Sequence, residues 1–183
     1  MVSPSATSVP PWAREPHVEP ADPTGRTHTL LVVGPGDGQT GTAVRAVAAG
    51  WQEELGAAPV HRHDCADAAV AVDALHADLA VARVGHRVLV AGTAEACLAV
   101  RAAAVRAGLA DDELRFGAVA ADVRTVWCVH CSATTTAAVA AGGVVACPGC
   151  ARSLLVYEHV SRRTGHHLGF MVDAEDQPWE ESA

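Results

Sequence analysis

The hydrophobic pattern of the first 120 residues alternates between short aliphatic runs and longer stretches with helical spacing. Residues 27–33 form the first run, which stops at Gly34-Pro35-Gly36-Asp37-Gly38-Gln39-Thr40-Gly41. From about Thr42 onward Val44, Val47, Ala48, Trp51 and Leu55 recur at the period of an amphipathic helix. Residues 59–63 read as a second strand, and Asp64 or Asp67 caps a second helix through Ala68, Val72, Leu75 and Leu79. Residues 86–91 form a third strand. Gly92-Thr93 turns it into a helix that ends at Gly108, residues 109–113 are a loop, and residues 114–116 are a fourth strand. Strands and helices alternating at these lengths predict a parallel sheet covered on both faces over residues 27–121.

Beyond residue 121 the pattern shortens. Residues 123–127, 142–146 and 154–157 read as ribbon strands, with residues 132–141, rich in Thr and Ala, as a long loop. Between these arms lie Cys128-Val129-His130-Cys131 and, fifteen residues later, Cys147-Pro148-Gly149-Cys150. Two CxxC pairs at this spacing form tight knuckles that aim four sulfurs at one point, the tetrahedral cage of a metal. Zinc and a single iron both accept such a cage. Rubredoxin-like iron knuckles carry glycine after the second cysteine, and here Ser132 and Ala151 stand there, which favours structural zinc. His130 either replaces Cys131 as ligand or points outward. A pair of disulfides would need an exported chain, and the opening residues read as a tail rather than an export signal.

Before residue 27 there is no apolar periodicity. Pro4, Pro10, Pro11, Pro16, Pro20 and Pro23 predict a flexible arm over residues 1–26, with Trp12 as its one candidate anchor, and residues 177–183 form a second tail. The metal module accordingly spans 122–176.

Composition adds three exclusions. Half of the residues are hydrophobic but only 4% are aromatic, so the core is built from Ala, Val and Leu. No run approaches the roughly eighteen apolar residues of a membrane helix, and a soluble, cytoplasmic protein is expected. The formal charge is -8 and no lysine is present, which argues against a nucleic-acid partner. Cys65 and Cys97 read as reduced, buried small residues.

Two resemblances build on these motifs. Residues 30–48, 61–75 and 88–116 resemble the pyridine-nucleotide domain of ferredoxin reductase-like flavoproteins, which implies a Rossmann-like first domain. That family's turn is one residue shorter and lacks the charge of Asp37, and its CGP is replaced by Ala91-Gly92-Thr93. NADP binding is therefore doubtful. Were it retained, Gly34, Gly36, Gly38 and Thr40 would cradle the pyrophosphate and Arg62 would meet a 2′-phosphate. Second, residues 125–131, Cys147-Pro148-Gly149-Cys150, residues 158–163 and residues 168–175 together resemble the DmmA-like family of dimethylamine monooxygenase subunits. The fold class expected is thus α/β, with a zinc-ribbon or rubredoxin-like module after the first domain.

The second resemblance implies an accessory or electron-relay subunit of a heme-dependent, NADPH-consuming complex that oxidatively demethylates secondary amines. It would work beside subunits that carry heme, flavin and an iron-sulfur cluster. No residue is assigned a catalytic role in this chain alone. An independent zinc-ribbon adaptor and a rubredoxin-like iron electron carrier are the alternatives. His159, Ser161, Arg162 and Arg163 form either a polar patch toward a partner or a solvated strand end, and His166 and His167 read as surface residues. Asp173, Glu175 and Asp176 suggest an acidic docking edge, and Trp51, Trp127 and Phe170 are candidates for core or contact.

Overall fold

The structure, a computed structural model, describes residues 8–34 and 36–173. In chain order its elements are α1 (Pro11–Arg14), β1 (His17–Val18), β2 (Thr27–Val33), α2 (Gln39–Leu55), β3 (Val60–Cys65), α3 (Ala68–Leu79), β4 (His86–Gly92), α4 (Ala94–Arg106) and β5 (Leu114–Ala118). There follow β6 (Val123–Cys128), β7 (Thr134–Ala138), β8 (Val144–Ala146), β9 (Ser153–Val160) and β10 (His167–Met171). They make a mixed α/β chain with two five-stranded sheets.

The first sheet has the order β1-β5-β4-β2-β3, with β5, β4, β2 and β3 parallel and β1 antiparallel at the edge. β2 and β4 lie centrally, which is why their sequences are unbroken aliphatic runs rather than alternating ones. Leu31, Val33, Val88 and Val90 share one buried cluster with residues of α1, α3 and α4, whereas Leu30, Val32, Leu89 and Ala91 pack with α2. Each of these Leu and Val side chains contributes about 1.5–3 kcal/mol on burial.

Helix starts follow local chemistry. The Asp67 side chain accepts from the amides of Ala69 and Val70, which settles the choice between Asp64 and Asp67. Thr93 caps α4 in the same way. α2 begins at Gln39, three residues before the start expected from the apolar spacing, because Gly38 at its N-cap has φ +101° and turns the chain early.

The described part of the N-terminal segment corrects the expectation of a flexible arm. Residues 8–26 pack on the first sheet: Trp12 and Val9 are buried, and β1 pairs with β5. Trp51 Nε1 donates to the Glu19 carbonyl at 2.9 Å, and Arg87 Nε donates to Asp22 at 2.8 Å. Prolines erase helical periodicity without preventing burial, and Pro11 sits at the first position of α1, where no amide is needed.

The second sheet has the order β7-β6-β10-β9-β8, with β6 parallel to β10 and its other pairs antiparallel. Two expectations change here. Residues 132–141 contain the edge strand β7 rather than only a loop, and His167 is buried rather than at the surface. Of the residues expected as a polar patch, His159, Arg162 and Arg163 are exposed, and part of the segment is tied to the first domain. Arg162 pairs with Asp111 at 2.7 Å, Arg106 donates to the Arg163 carbonyl, and Gly165 lies against the Leu98 carbonyl of α4. Val160 joins the core cluster under α4, and Ser8 Oγ bridges its amide and carbonyl. Glu175, Asp176 and the tail over 177–183 lie outside the described residues.

Candidate metal centre

The first knuckle joins β6 to β7 and the second joins β8 to β9, so the two come together at one end of the second sheet. The sulfurs of Cys128, Cys131, Cys147 and Cys150 all lie within 4.8 Å of one another. Two approaches cross between knuckles: Cys128 to Cys150 at 3.8 Å and Cys131 to Cys147 at 3.5 Å. A tetrahedron with metal–sulfur bonds of about 2.3 Å has edges of about 3.8 Å. The donor set and spacing therefore fit a four-thiolate metal ion. Cys128 and Cys147 are buried, Cys150 is half-buried and Cys131 is exposed, so the cage is closed on one side and reaches solvent on the other.

The two knuckles repeat the same backbone turn. Ser132 N donates to the Cys128 carbonyl and Ala151 N to the Cys147 carbonyl, each at 2.9 Å. Ser132 and Ala151 have φ +61° and +59°, and among the described residues they are the non-glycine positions in the left-handed region. Holding a Cβ there costs roughly 1–2 kcal/mol per residue. The cost purchases access to sulfur, since the next amides, of Ala133 and Arg152, hydrogen-bond to Cys131 and Cys150. Glycine is thus dispensable for this turn. The sequence argument that Ser132 and Ala151 favour zinc over iron loses its basis, and the geometry accepts either ion.

Charge at the cage is tuned locally. The Arg152 amide, and after it the Arg152 side chain, pull the Cys150 thiol down, whereas, against the Ala133 amide, the neighbouring sulfurs push the Cys131 thiol up, so without a metal the four cysteines do not ionise alike. Gly149 is required by space: a Cβ there would stand 2.9 Å from Cys131 Sγ and 2.9 Å from the Ala133 methyl. His130 stays out of the cage, its Nε2 accepting from the Met171 amide at 3.2 Å and tying the first knuckle to β10.

Of the residues weighed for contact, Trp51 is core, Trp127 is half-buried and Phe170 is exposed, packed edge-on against exposed Tyr157 at 5.7 Å. Cys65 and Cys97 are buried as expected.

The glycine-rich turn lies at the other end of interest, between β2 and α2. Gly34, Gly36, Gly38 and Thr40 are exposed, but Gly36 folds back so that its carbonyl oxygen would stand 1.7 Å from a Cβ placed on Gly41. Arg45 Nη1 holds that carbonyl at 2.9 Å. Arg62, the candidate for a 2′-phosphate, is already engaged by Asp64 at 2.8 Å and Gln52 at 2.7 Å.

A second cluster escaped the sequence reading. His61 and His63 of β3 converge on Asp78 of α3, and His61-x-His63 on a strand was the available signal, because residues two apart share a face.

Comparison with known proteins places these features in a family context. Residues 125–170 match the family model described as dimethylamine monooxygenase subunit DmmA-like, C-terminal domain. The segment contains both knuckles and most of β10. The chain is also 39% identical over 99 residues to the heme-dependent oxidative N-demethylase delta subunit of Ectopseudomonas mendocina (strain ymp). That alignment covers 54% of this chain and 55% of the relative, so the chain spans about half the length of the curated relative it matches. No solved structure matches significantly. The DmmA-like resemblance read from the knuckles and their flanking segments is matched by that family's model over residues 125–170.

Proposed function

We propose that this chain is an accessory subunit of a heme-dependent, NADPH-consuming complex that oxidatively demethylates secondary amines. The observation that carries the reading is the four-cysteine cage inside a segment matched by the DmmA-like domain and set in a chain similar to an N-demethylase delta subunit. In this reading Cys128, Cys131, Cys147 and Cys150 hold one zinc ion. The buried apolar cluster around them is small, comprising Val126, Cys128, Cys147, Leu154 and Val156, and a bound metal would supply folding energy that such a core lacks.

Residues 27–121, extended by the packed segment 8–26, serve as a Rossmann-like scaffold without nucleotide. Residues 122–176 form a zinc-ribbon-like module whose Tyr157 and Phe170 offer an aromatic contact to partner chains carrying heme, flavin or an iron-sulfur cluster. Copurification tests this directly. The tagged chain should bring down a heme protein encoded beside it, and Phe170→Ala with Tyr157→Ala should weaken that capture. A monomer indifferent to every neighbouring gene product would overturn the proposal.

A second reading puts iron in the same cage, since four thiolates at this spacing hold iron as well as zinc. Iron in the cage would cycle by one electron between a flavin and the heme, making the subunit a relay. Metal analysis separates the two readings, because ferric tetrathiolate is red and zinc is colourless and redox-silent.

A further inference from the structure

We propose that His61, His63 and Asp78 form a second site, for a divalent first-row transition metal, held by two imidazoles and one carboxylate and opening onto a cavity at the amino ends of the strands. The site is remote in chemistry from the cysteine cage and independent of the accessory-subunit reading.

Strand geometry brings the rings together. His61 and His63 are two apart on β3, so both project from the face that α3 covers, with ring centroids 4.1 Å apart. Asp78, near the end of α3, lies over them. Its Oδ1 is 2.9 Å from His61 Nδ1 and its Oδ2 is 3.0 Å from His63 Nε2. The three donor groups lie within 4.8 Å of one another. Adjacent ligands on an octahedral ion with bonds of about 2.1 Å stand about 3.0 Å apart, which is the nitrogen–oxygen spacing found here.

A purely structural network is the competing account, in which the histidines brace α3 against the sheet. Two observations weigh against it. The His61 side chain is 67% exposed, and a hydrogen bond so open to water contributes little to stability. Asp78 does not need the rings for its anchorage, since Thr29 Oγ1 of the neighbouring β2 already donates to Oδ2 at 2.5 Å. That hydroxyl, also 3.0 Å from His86 Nε2, is the kind of outer partner that fixes a metal-binding carboxylate.

The surroundings leave room for further ligands. His61 and Asp78 line a cavity of about 460 Å³ together with His28, His86, Val81 and Arg83. Two imidazoles and a carboxylate complete only part of an ion's coordination, and the cavity adjoins two of the three donors, His61 and Asp78. Imidazole and carboxylate suit borderline ions such as Zn²⁺, Co²⁺, Ni²⁺ or Fe²⁺, whereas four thiolates select softer chemistry, so the two sites sort metals differently. On binding, each imidazole gives its lone pair to the ion and keeps its proton on the other ring nitrogen. For His61 that nitrogen faces solvent, so the tautomer change meets no buried obstacle.

Co²⁺ is the probe, because nitrogen and oxygen ligands give weak d–d absorption and thiolates add intense charge-transfer bands. The full chain is first given one equivalent of Zn²⁺ and dialysed against a mild chelator, and its retained metal is counted. It should then bind one further equivalent of Co²⁺ without thiolate bands, and the His61 and His63 ring protons should undergo paramagnetic shifts. His61→Ala, at an exposed ring, should keep the far-ultraviolet spectrum and weaken this binding by roughly tenfold or more. Absence of the extra equivalent in the wild-type chain overturns the proposal. So does unchanged affinity in His61→Ala, or paramagnetic shifts centred on another part of the chain with His61 and His63 unmoved.

Discussion

Trp12 stacks on Phe116 with ring centroids 4.3 Å apart and planes 26° from parallel, and both rings are 3% exposed. The contact joins a proline-rich segment to β5 and shows that this segment completes the first core rather than trailing from it. One backbone and one side-chain bond reinforce it, since Glu19 N donates to the Phe116 carbonyl and Glu19 Oε2 accepts from Phe116 N.

Removing the indole should therefore act as a core truncation. Trp12→Ala is expected to cost about 3–5 kcal/mol in denaturant unfolding, and Trp12→Phe clearly less, because the stacked ring survives. A flexible arm would give no measurable shift for either variant.

The same segment should be sensitive to acid. The Thr24 hydroxyl, and after it the Arg87 guanidinium, hold the Asp22 carboxyl well below the ordinary carboxylate value of 3.8. A carboxylate with a lowered folded pKa stabilises the fold above its unfolded value, and that stabilisation is lost as pH falls below it. The side chain is 12% exposed at a partly wet surface, so the effect at neutral pH is on the order of 1 kcal/mol. Asp22→Asn should lower stability by that amount near pH 7 and by progressively less below pH 3.8, where the carboxyl protonates in the unfolded chain while the folded one stays ionised to lower pH. Parallel stability curves at every pH would contradict it.

What the chain's pattern revealed and what it hid have physical reasons. Leu30 to Val33 and Val88 to Ala91 were legible as strands because both of their faces are buried, and Asp67 and Thr93 because capping is local chemistry. The cysteine knuckles were legible by spacing. β7 was not, since Thr134–Ala138 is an edge strand whose side chains are alternately exposed and half-buried and so carry no hydrophobic signal. His167 was misjudged because its burial depends on Val9 and Arg14, far away in sequence, which line the same small cavity. Its Nδ1 donates to the Tyr157 carbonyl at 3.3 Å, and burial pushes its pKa down, so it packs as a neutral ring. The His61, His63 and Asp78 cluster needed α3 to be placed before the carboxylate could be seen near the rings.

Gly149 offers a test of the cage that spares its ligands. A methyl at this position meets Cys131 Sγ and the Ala133 methyl at 2.9 Å, so Gly149→Ala must displace one knuckle against the other. Overpacking of this kind costs typically about 1–3 kcal/mol. The variant should lose metal to a chelator sooner than the wild-type chain and show a lower unfolding temperature. The control is Gly142→Ala in the loop before β8: nothing lies within 4 Å of a Cβ there, although φ +80° imposes backbone strain, so it should lower stability without hastening metal loss. Equal metal retention in wild type and Gly149→Ala would mean that the four sulfurs do not close on an ion.

The last prediction concerns the glycine-rich turn. Pyrophosphate binding at a helix start needs backbone amides pointing outward and a clear approach. Here the Gly36 carbonyl oxygen folds over Gly41 and is fastened by Arg45, so an acceptor stands where donors would be required. Asp37 adds a negative charge beside it, and Arg62, engaged by Asp64 and Gln52, would have to exchange those partners for a 2′-phosphate. Calorimetry of the full chain with NADPH should give no saturable heat in the micromolar range. Arg45→Ala, which frees the Gly36 carbonyl, should leave that result unchanged, because the added Asp37 charge remains. Saturable micromolar binding by the wild-type chain, abolished by Gly36→Glu, would replace the scaffold reading with that of a nucleotide-binding reductase domain.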